Sequence, residues 1–268
     1  MTSRENLFSE ETEEMISACL EGQTLDSRLS ESFKQIGYCI IPSFVKVTTV
    51  ARLNDEVDVF KPFHSKGFTT AYNASIDESF PRSHPRNRAQ YTSSWVVSGR
   101  EIQDSSLLWR IYRSRGIQTL LAAIAKVPRI YRFDDVDSAI NVAIMHAGDE
   151  LLWHYDQHDY VAIIGLEKSD IGGELELVPW LRRQKYPDDQ MQDNFELLGK
   201  ILNGHRRHVI TLNLEPGDLC FFNGRLSLHR VAPVSGSSAR RTAIFAFNKQ
   251  SLKPEAEHLN AFRYGKAR

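Results

Sequence analysis

The stretch LLWHYDQHDY, residues 151–160, sets His154, Asp156, His158 and Asp159 almost side by side. Imidazole and carboxylate are the donors that bind divalent transition metals. On an extended chain successive side chains alternate faces, so His154 and Asp156 point the same way, as does His158, whereas Asp159 does not. Two ligands from one strand do not hold a catalytic metal alone. The third candidate is His229, in GDLCFFNGRLSLHRV, at the start of a strand-like run that a folded sheet can bring beside the first pair. Two histidines and one carboxylate on one face of an octahedral ion leave three positions open, as oxygen chemistry at non-haem Fe(II) requires.

The elements that must hold such a site are legible in outline. Residues 10–36 read as helical, with a serine cap candidate in DSRLSESFKQIG and a stop at Gly37. YCIIPSFV reads as a short apolar strand and VTTVARLNDEVDVF as an amphipathic helix. From Lys61 to Ser98 the chain is rich in Ser, Asn, Pro and Arg and reads as long binding loops with short strands. DSSLLWRIYRSRGIQTLLAAIAK, with Pro128 after it, reads as one helix. Beyond Pro128 the texture changes to short β-rich runs, SAINVAIMHAG, YVAIIGLE, GELELVPW, RHVITLNLEPGD, LCFFNG, LHRVAPV and TAIFAFN, separated by turn residues. Strands so closely spaced predict an antiparallel sandwich or barrel, not βαβ units. The fold class expected is α+β, with N-terminal helices buttressing a C-terminal double-sheet jelly roll.

Composition narrows the function. The 268 residues carry a net charge of −1, with no long basic or acidic run, so neither a nucleic-acid partner nor a membrane surface is expected. The start, MTSRENLFSEETEEMISACLEG, is acidic and lacks an apolar core, which argues against a secretory or transit peptide. No apolar run is long enough to span a bilayer. Cys19, Cys39 and Cys220 are odd in number and far apart, which suits neutral thiols in a reducing cytoplasm.

Taken in order, HAGDELLWHYD, GGELELVP, EPGDLCFFNG, LHRVAPVSG and RRTAIFAF resemble the successive motifs of the Fe(II)/2-oxoglutarate-dependent oxygenases. The match covers roughly Asn141 to Asn248, and GYCIIPSFV is similar to the strand that opens many of these enzymes. Within them the run is similar to the group containing free amino-acid hydroxylases and halogenases. The halogenases lack the carboxylate ligand, so Asp156 implies hydroxylation or a related oxidation. The resemblance implies a double-stranded β-helix, cupin-like, spanning 1–268 as one domain, with helices and substrate loops over 1–128 and the jelly-roll core over 129–250. It implies Fe(II), 2-oxoglutarate and O2 as cofactor and cosubstrates, and His154, Asp156 and His229 as the metal ligands.

The remote carboxylate of 2-oxoglutarate needs a fixed cation in a dry cavity. Arg240 and Thr242 fit the family's arginine, any residue, serine or threonine pattern, and strand alternation lets only one of Arg240 and Arg241 point inward. Asn141 is similar to the strand residue that lines the cosubstrate pocket, or is structural. His158 is a residue behind the ligands or at the surface, His146, His205 and His208 are surface or strand histidines, and the glycines of IGGEL shape a turn. Arg82, Arg86 and Arg88, with Trp95 behind them, offer a carboxylate clamp and an aromatic wall, or simply a solvated loop. The expected partner is a small-molecule substrate, by resemblance a free amino acid or natural-product intermediate. The alternatives are a protein hydroxylase and a non-catalytic metal-binding jelly-roll protein.

Overall fold

Strand alternation decides where this chain buries its apolar surface. In Tyr160–Glu167, residues Tyr160, Ala162, Ile164 and Leu166 join one core while Val161 and Ile163 join another. A strand buried on both faces must lie between two layers. The structure, a computed structural model, describes residues 27–185, 190–250 and 257–265. Its elements, in chain order, are α1 (Ser27–Ile36), β1 (Tyr38–Ile41), α2 (Val47–Asp58), β2 (Phe63–Thr69), β3 (Gln90–Ser98), α3 (Leu107–Arg113), α4 (Arg115–Ala125), β4 (Tyr131–Arg132) and α5 (Val136–Ala139). There follow β5 (Ile140–Met145), β6 (Leu151–His154), β7 (Tyr160–Glu167), β8 (Leu175–Val178), β9 (Arg182–Lys185), β10 (Gln190–Asp193) and α6 (Phe195–Leu202). The last are β11 (Ile210–Leu212), β12 (Leu219–Phe222), β13 (Leu228–Val231), β14 (Arg240–Asn248) and α7 (Glu257–Tyr264).

Among the described residues a large antiparallel sheet runs β1-β12-β7-β14-β5-β3-β2, with β4 beside β14, and faces a smaller sheet β11-β8-β13-β6. This is the jelly roll expected from the closely spaced strands. The outer face of the large sheet packs on α1 to α4 through Phe33, Leu53, Leu108, Leu121, Phe221 and Phe245. Its inner face and the small sheet enclose Val161, Ile163, Leu175, Leu177, Cys220 and Phe222. Cys39 and Cys220 are free and buried, and desolvation raises the Cys39 thiol to about 12, so it stays neutral. Among the described residues no helix is long and apolar enough to cross a membrane.

Three expectations change. Residues 61–98 hold the expected loop, over 70–89, but the strands beside it are longer than expected, because β2 and the nine-residue β3 pair along Phe63–Thr69 and extend the large sheet. The serines and threonines that suggest loop sit on a buried strand because neighbours satisfy their hydroxyls: Thr92 Oγ1 donates to the Glu150 carbonyl at 3.1 Å and Ser93 Oγ to Asp149 Oδ1 at 2.5 Å. The helix after Asp104 is two helices, split at Ser114, whose backbone is extended (φ −63°, ψ 139°) and whose hydroxyl accepts the Ile117 N–H at 3.2 Å. Serine ends α3 and caps α4 by offering the backbone a side-chain partner. Of the helix expected over residues 10–36, only Ser27–Ile36 falls among the described residues, where it ends at Gly37 with φ +81°; Cys19 lies outside them.

Candidate functional site

β13 pairs with β6 so that His229 stands opposite His154. The chain leaves β6 at His154, and two backbone bonds fix its path: Tyr155 N–H donates to the Ala71 carbonyl (2.8 Å) and Asp156 N–H to the Gly224 carbonyl (3.0 Å). The Asp156 carboxylate is thereby delivered between the imidazoles, with Oδ1 3.6 Å from His154 Nε2 and Oδ2 3.2 Å from His229 Nε2. All three side chains are buried, and they offer ligand atoms that lie within 4.8 Å of one another.

The tautomers follow from the backbone. His154 Nδ1 lies 2.7 Å from the Leu152 carbonyl and His229 Nδ1 3.0 Å from the Ser227 carbonyl. A carbonyl only accepts, so each Nδ1 carries the proton and each Nε2 turns a lone pair inward, the form that ligates metal. Burial and the neighbouring His229 lower His154 to about 4, so its ring is neutral at physiological pH. Burial works to raise Asp156, but the facing histidines outweigh it and hold the carboxyl well below the usual carboxylate range. Neutral imidazoles and an ionised carboxylate are what a divalent ion requires. Space for that carboxylate comes from Gly224, where an added Cβ would lie 2.2 Å from Asp156 Oδ2 and 2.8 Å from Val161 Cγ2.

Deeper between the sheets, β14 turns Arg240 and Thr242 inward, and Asn141 lines the same cavity from β5. Arg240 is buried, and desolvation lowers its pKa to about 10, which leaves it charged at neutral pH. Among the described residues no carboxylate pairs with it. Its side-chain hydrogen bond runs from Nη1 to Thr242 Oγ1 at 3.2 Å. The backbone turn at Gly173 (φ +77°) makes room for it, since a Cβ there would lie 3.0 Å from Arg240 Cδ. Arg241 faces outward and pairs with Asp58 on α2 (2.6 Å) and Glu167 on β7 (2.9 Å).

The remaining histidines separate. His158 is buried, with Nε2 3.7 Å from Asp156 Oδ2 and its ring 5.7 Å from that of Phe133, while His146, His205 and His208 are exposed. Arg82, Arg86, Arg88 and Trp95 do not line the cavity. Arg86 pairs with Asp77 at 2.7 Å and lies over Tyr72, Arg88 reaches Asn203, Arg82 is exposed, and Trp95 stacks on His64 at 4.2 Å. Of the two readings of that loop, the structure supports the one without a clamp: Arg86 and Arg88 find partners in the loop and at Asn203 after α6, and Arg82 is exposed. The cavity is instead walled by Ser65, Asn73, Thr92 and Ser94, and by Phe262, Arg263 and Tyr264 of α7. Sequence reasoning missed α7: it is short, amphipathic and follows the last motif. Arg263 is nonetheless the second arginine lining the cavity, after Arg240, with Nη2 3.9 Å from Asp156 Oδ1.

The family described as "Halogenase D" matches residues 22–261. No curated protein matches the chain closely enough to count as a relative. Among solved structures, AviO1 from Streptomyces viridochromogenes Tue57 is 19% identical at a TM-score of 0.56, covering 87% of this chain and 100% of that one. The epimerase SnoN, in complex with Fe3+, alpha ketoglutarate and nogalamycin RO, is 15% identical at a TM-score of 0.57, covering 83% and 82%. An oxidoreductase of the 2OG-Fe(II) oxygenase family from Burkholderia pseudomallei is 9% identical at a TM-score of 0.54, covering 85% and 92%. At these identities the likeness establishes the fold, which is that of the Fe(II)/2-oxoglutarate oxygenases.

Proposed function

From the premise that the chain belongs to the Halogenase D family, an oxidoreductase family with the Fe(II)/2-oxoglutarate oxygenase fold, we propose that it oxidises an unactivated C–H bond of a small molecule. The reaction is hydroxylation, or a related desaturation or ring closure, with release of succinate and CO2. A free amino acid or natural-product intermediate is the substrate class this reading favours; SnoN, with nogalamycin RO bound, is one precedent in this fold.

The observation that carries the reading is a complete donor set with an unneutralised cation behind it. His154, Asp156 and His229 would hold Fe(II) through two Nε2 atoms and one carboxylate oxygen. Arg240 and Thr242 would hold the remote carboxylate of 2-oxoglutarate, with Asn141 beside it. A buried guanidinium is costly without an anion, and a protein that kept a metal only for structure has no use for one. When bound, Fe(II) and 2-oxoglutarate supply activation of O2 for hydrogen abstraction. The chain's own residues do the rest: the Leu152 and Ser227 carbonyls orient the imidazoles, Gly224 admits the carboxylate, and the apolar side chains of Val161, Ile163 and Leu175 line the cavity.

Asp156 also favours oxygenation over halogenation, despite the family's description. A halide ligand needs the position a carboxylate would otherwise fill, and here the carboxylate lies between the two histidines. The test is anaerobic addition of Fe(II) and 2-oxoglutarate to the protein, then O2 with a panel of free amino acids, reading succinate over an uncoupled background. Substrate-stimulated, iron-dependent succinate with a product 16 mass units heavier (hydroxylation,) or two lighter is expected. Absence of iron-dependent succinate under every condition would return the protein to the non-catalytic class.

A further inference from the structure

We propose that Asn73 is a positioning residue: with the turn over 70–74 it clamps the peptide between His154 and Asp156, so that both side chains stand in their ligating geometry before a metal arrives. The inference rests on the metal-ligand reading above and deepens it.

The need for a clamp comes from the sheet. β6, which delivers His154, is the last strand of the small sheet, so its outer edge has no neighbouring strand there. Edge carbonyls left unpaired in a buried place are costly. Side chains take the place of a ladder: Thr92 Oγ1 donates to the Glu150 carbonyl (3.1 Å), Gln90 Nε2 to the Trp153 carbonyl (3.1 Å) and Asn73 Nδ2 to the Tyr155 carbonyl (3.0 Å). Tyr155 is held a second time by the same turn, because its N–H donates to the Ala71 carbonyl at 2.8 Å. The two peptide units that join His154 to Asp156 are therefore both gripped from 70–74.

The turn is closed on itself. Asn73 N–H donates to the Thr70 carbonyl (2.9 Å), while Thr70 Oγ1 accepts the Tyr72 N–H (3.3 Å) and donates to the Ala74 carbonyl (3.0 Å). Asn73 is buried with φ +51°, in the left-handed region that asparagine enters more readily than other residues with a side chain. Glycine would take that backbone equally well but would bring no donor to the Tyr155 carbonyl. The Tyr155 side chain packs on the turn too: its ring lies 5.4 Å from that of Tyr72, and Arg182 covers both. Arg182 Nε and the Tyr72 hydroxyl converge on Asp193 Oδ1, each at 2.8 Å.

Mn(II), counted as free ion by electron paramagnetic resonance, reports metal affinity without turnover, and hydrogen exchange reports the clamp. In the wild type the N–H groups of Tyr155 and Asn73 should exchange in step as denaturant is raised below the unfolding transition. Mn(II) should slow both by the same factor, because coupling is reciprocal. Asn73→Gly keeps the left-handed backbone and removes the donor; Asn73→Asp keeps the shape and sets an oxygen against the carbonyl. Each should weaken Mn(II) binding about ten- to a hundredfold, as loss of a group supporting a ligand does. A loss of that size through positioning means that the ligands are in register in at most about a tenth of the metal-free molecules. The Tyr155 N–H should then be nearly unprotected without Mn(II) and regain protection with it, while β5 and β7 stay protected throughout. Wild-type affinity in Asn73→Gly would overturn the proposal and leave residue 73 a turn former only. Weakened Mn(II) binding with Tyr155 still protected in the metal-free variant, or lost protection at unchanged affinity, would overturn it as well. So would independent exchange of Tyr155 and Asn73 in the wild type, a comparison that decides the matter even where the variants do not fold. If the wild-type protein binds no Mn(II), the ligand reading fails, and the exchange of those two N–H groups still judges the clamp.

Discussion

Replacing Arg240 by alanine gives a direct measure of how 2-oxoglutarate is held. The guanidinium is buried, its side-chain partner is the neutral Thr242 hydroxyl at 3.2 Å, and no described carboxylate competes for it. Each charge-assisted hydrogen bond is worth about 1.5–3 kcal/mol, and 1.4 kcal/mol is about tenfold in affinity. Arg240→Ala should therefore weaken 2-oxoglutarate by about ten- to a hundredfold, and by more if its carboxylate is left buried without a partner. Arg241→Ala is the matched control. Its ion pairs with Asp58 and Glu167 lie at the surface, where such pairs contribute at most about 1 kcal/mol; it should lower the melting temperature slightly and change 2-oxoglutarate affinity by less than about threefold. The assay is anaerobic titration of Fe(II)-loaded protein with 2-oxoglutarate, backed by the apparent KM at saturating iron and substrate. The opposite ranking would move the anchor to Arg241, and two small effects would place the cation elsewhere.

Four further substitutions probe the metal ligands and their neighbours. His229→Ala should abolish turnover and leave no tight iron binding by equilibrium dialysis, whereas His158→Ala, which removes a neighbour of Asp156, should cost about ten- to a hundredfold in iron affinity; the reverse order would show that the ligand assignment is wrong. Asp156→Gly should stop hydroxylation without yielding an efficient halogenase, because a halide also needs supporting donors around it; a dominant chlorinated product by mass spectrometry in high chloride would contradict this. Gly224→Ala should destabilise the fold by about 1–3 kcal/mol in denaturant titration and weaken iron binding, since the new Cβ falls on Asp156 Oδ2 and Val161. Doubling it with Asp156→Gly should recover part of the stability, since the contact with Val161 remains, but not iron, and an undiminished iron affinity in the single variant would show that the carboxylate is not confined as described.

The β-rich half was readable because strand order hardly matters to the argument: alternation along TAIFAFN and YVAIIGLE fixes faces, and the H-x-D pair with a distant strand-borne histidine needs only antiparallel closure to meet. The same alternation pointed to Arg240 over Arg241 once the arginine, any residue, threonine pattern was added, and the structure turns Arg240 inward. Where local chemistry opposes tertiary context, the reading fails. β3 has the hydroxyl-rich composition of a loop and becomes a strand because Asp149 and Glu150 satisfy it. Ser114 has helical neighbours on both sides, and its capping bond breaks the helix. The loop arginines are open to either a clamp or a solvated loop by sequence, and Asp77 and Asn203 take two of them. Arg263 carried no signal at all, since only the packing of α7 on β2 brings it to Asp156.

The closeness of Gly224 to Asp156 restricts the order in which these two positions can change over descent. While residue 156 is a carboxylate, position 224 can accept no side chain without displacing it. Exchange of Asp156 for glycine removes the nearer of the two obstacles, leaving Val161 Cγ2 at 2.8 Å, so substitution at 224 becomes less costly only as the second event. Once it has happened, the first cannot be undone alone, because a restored carboxylate meets the new Cβ. A lineage moving between three-ligand and two-ligand centres thus passes a ratchet set at a residue that touches no metal, and reversion by a single change at 156 is open only to descendants that have kept glycine at 224.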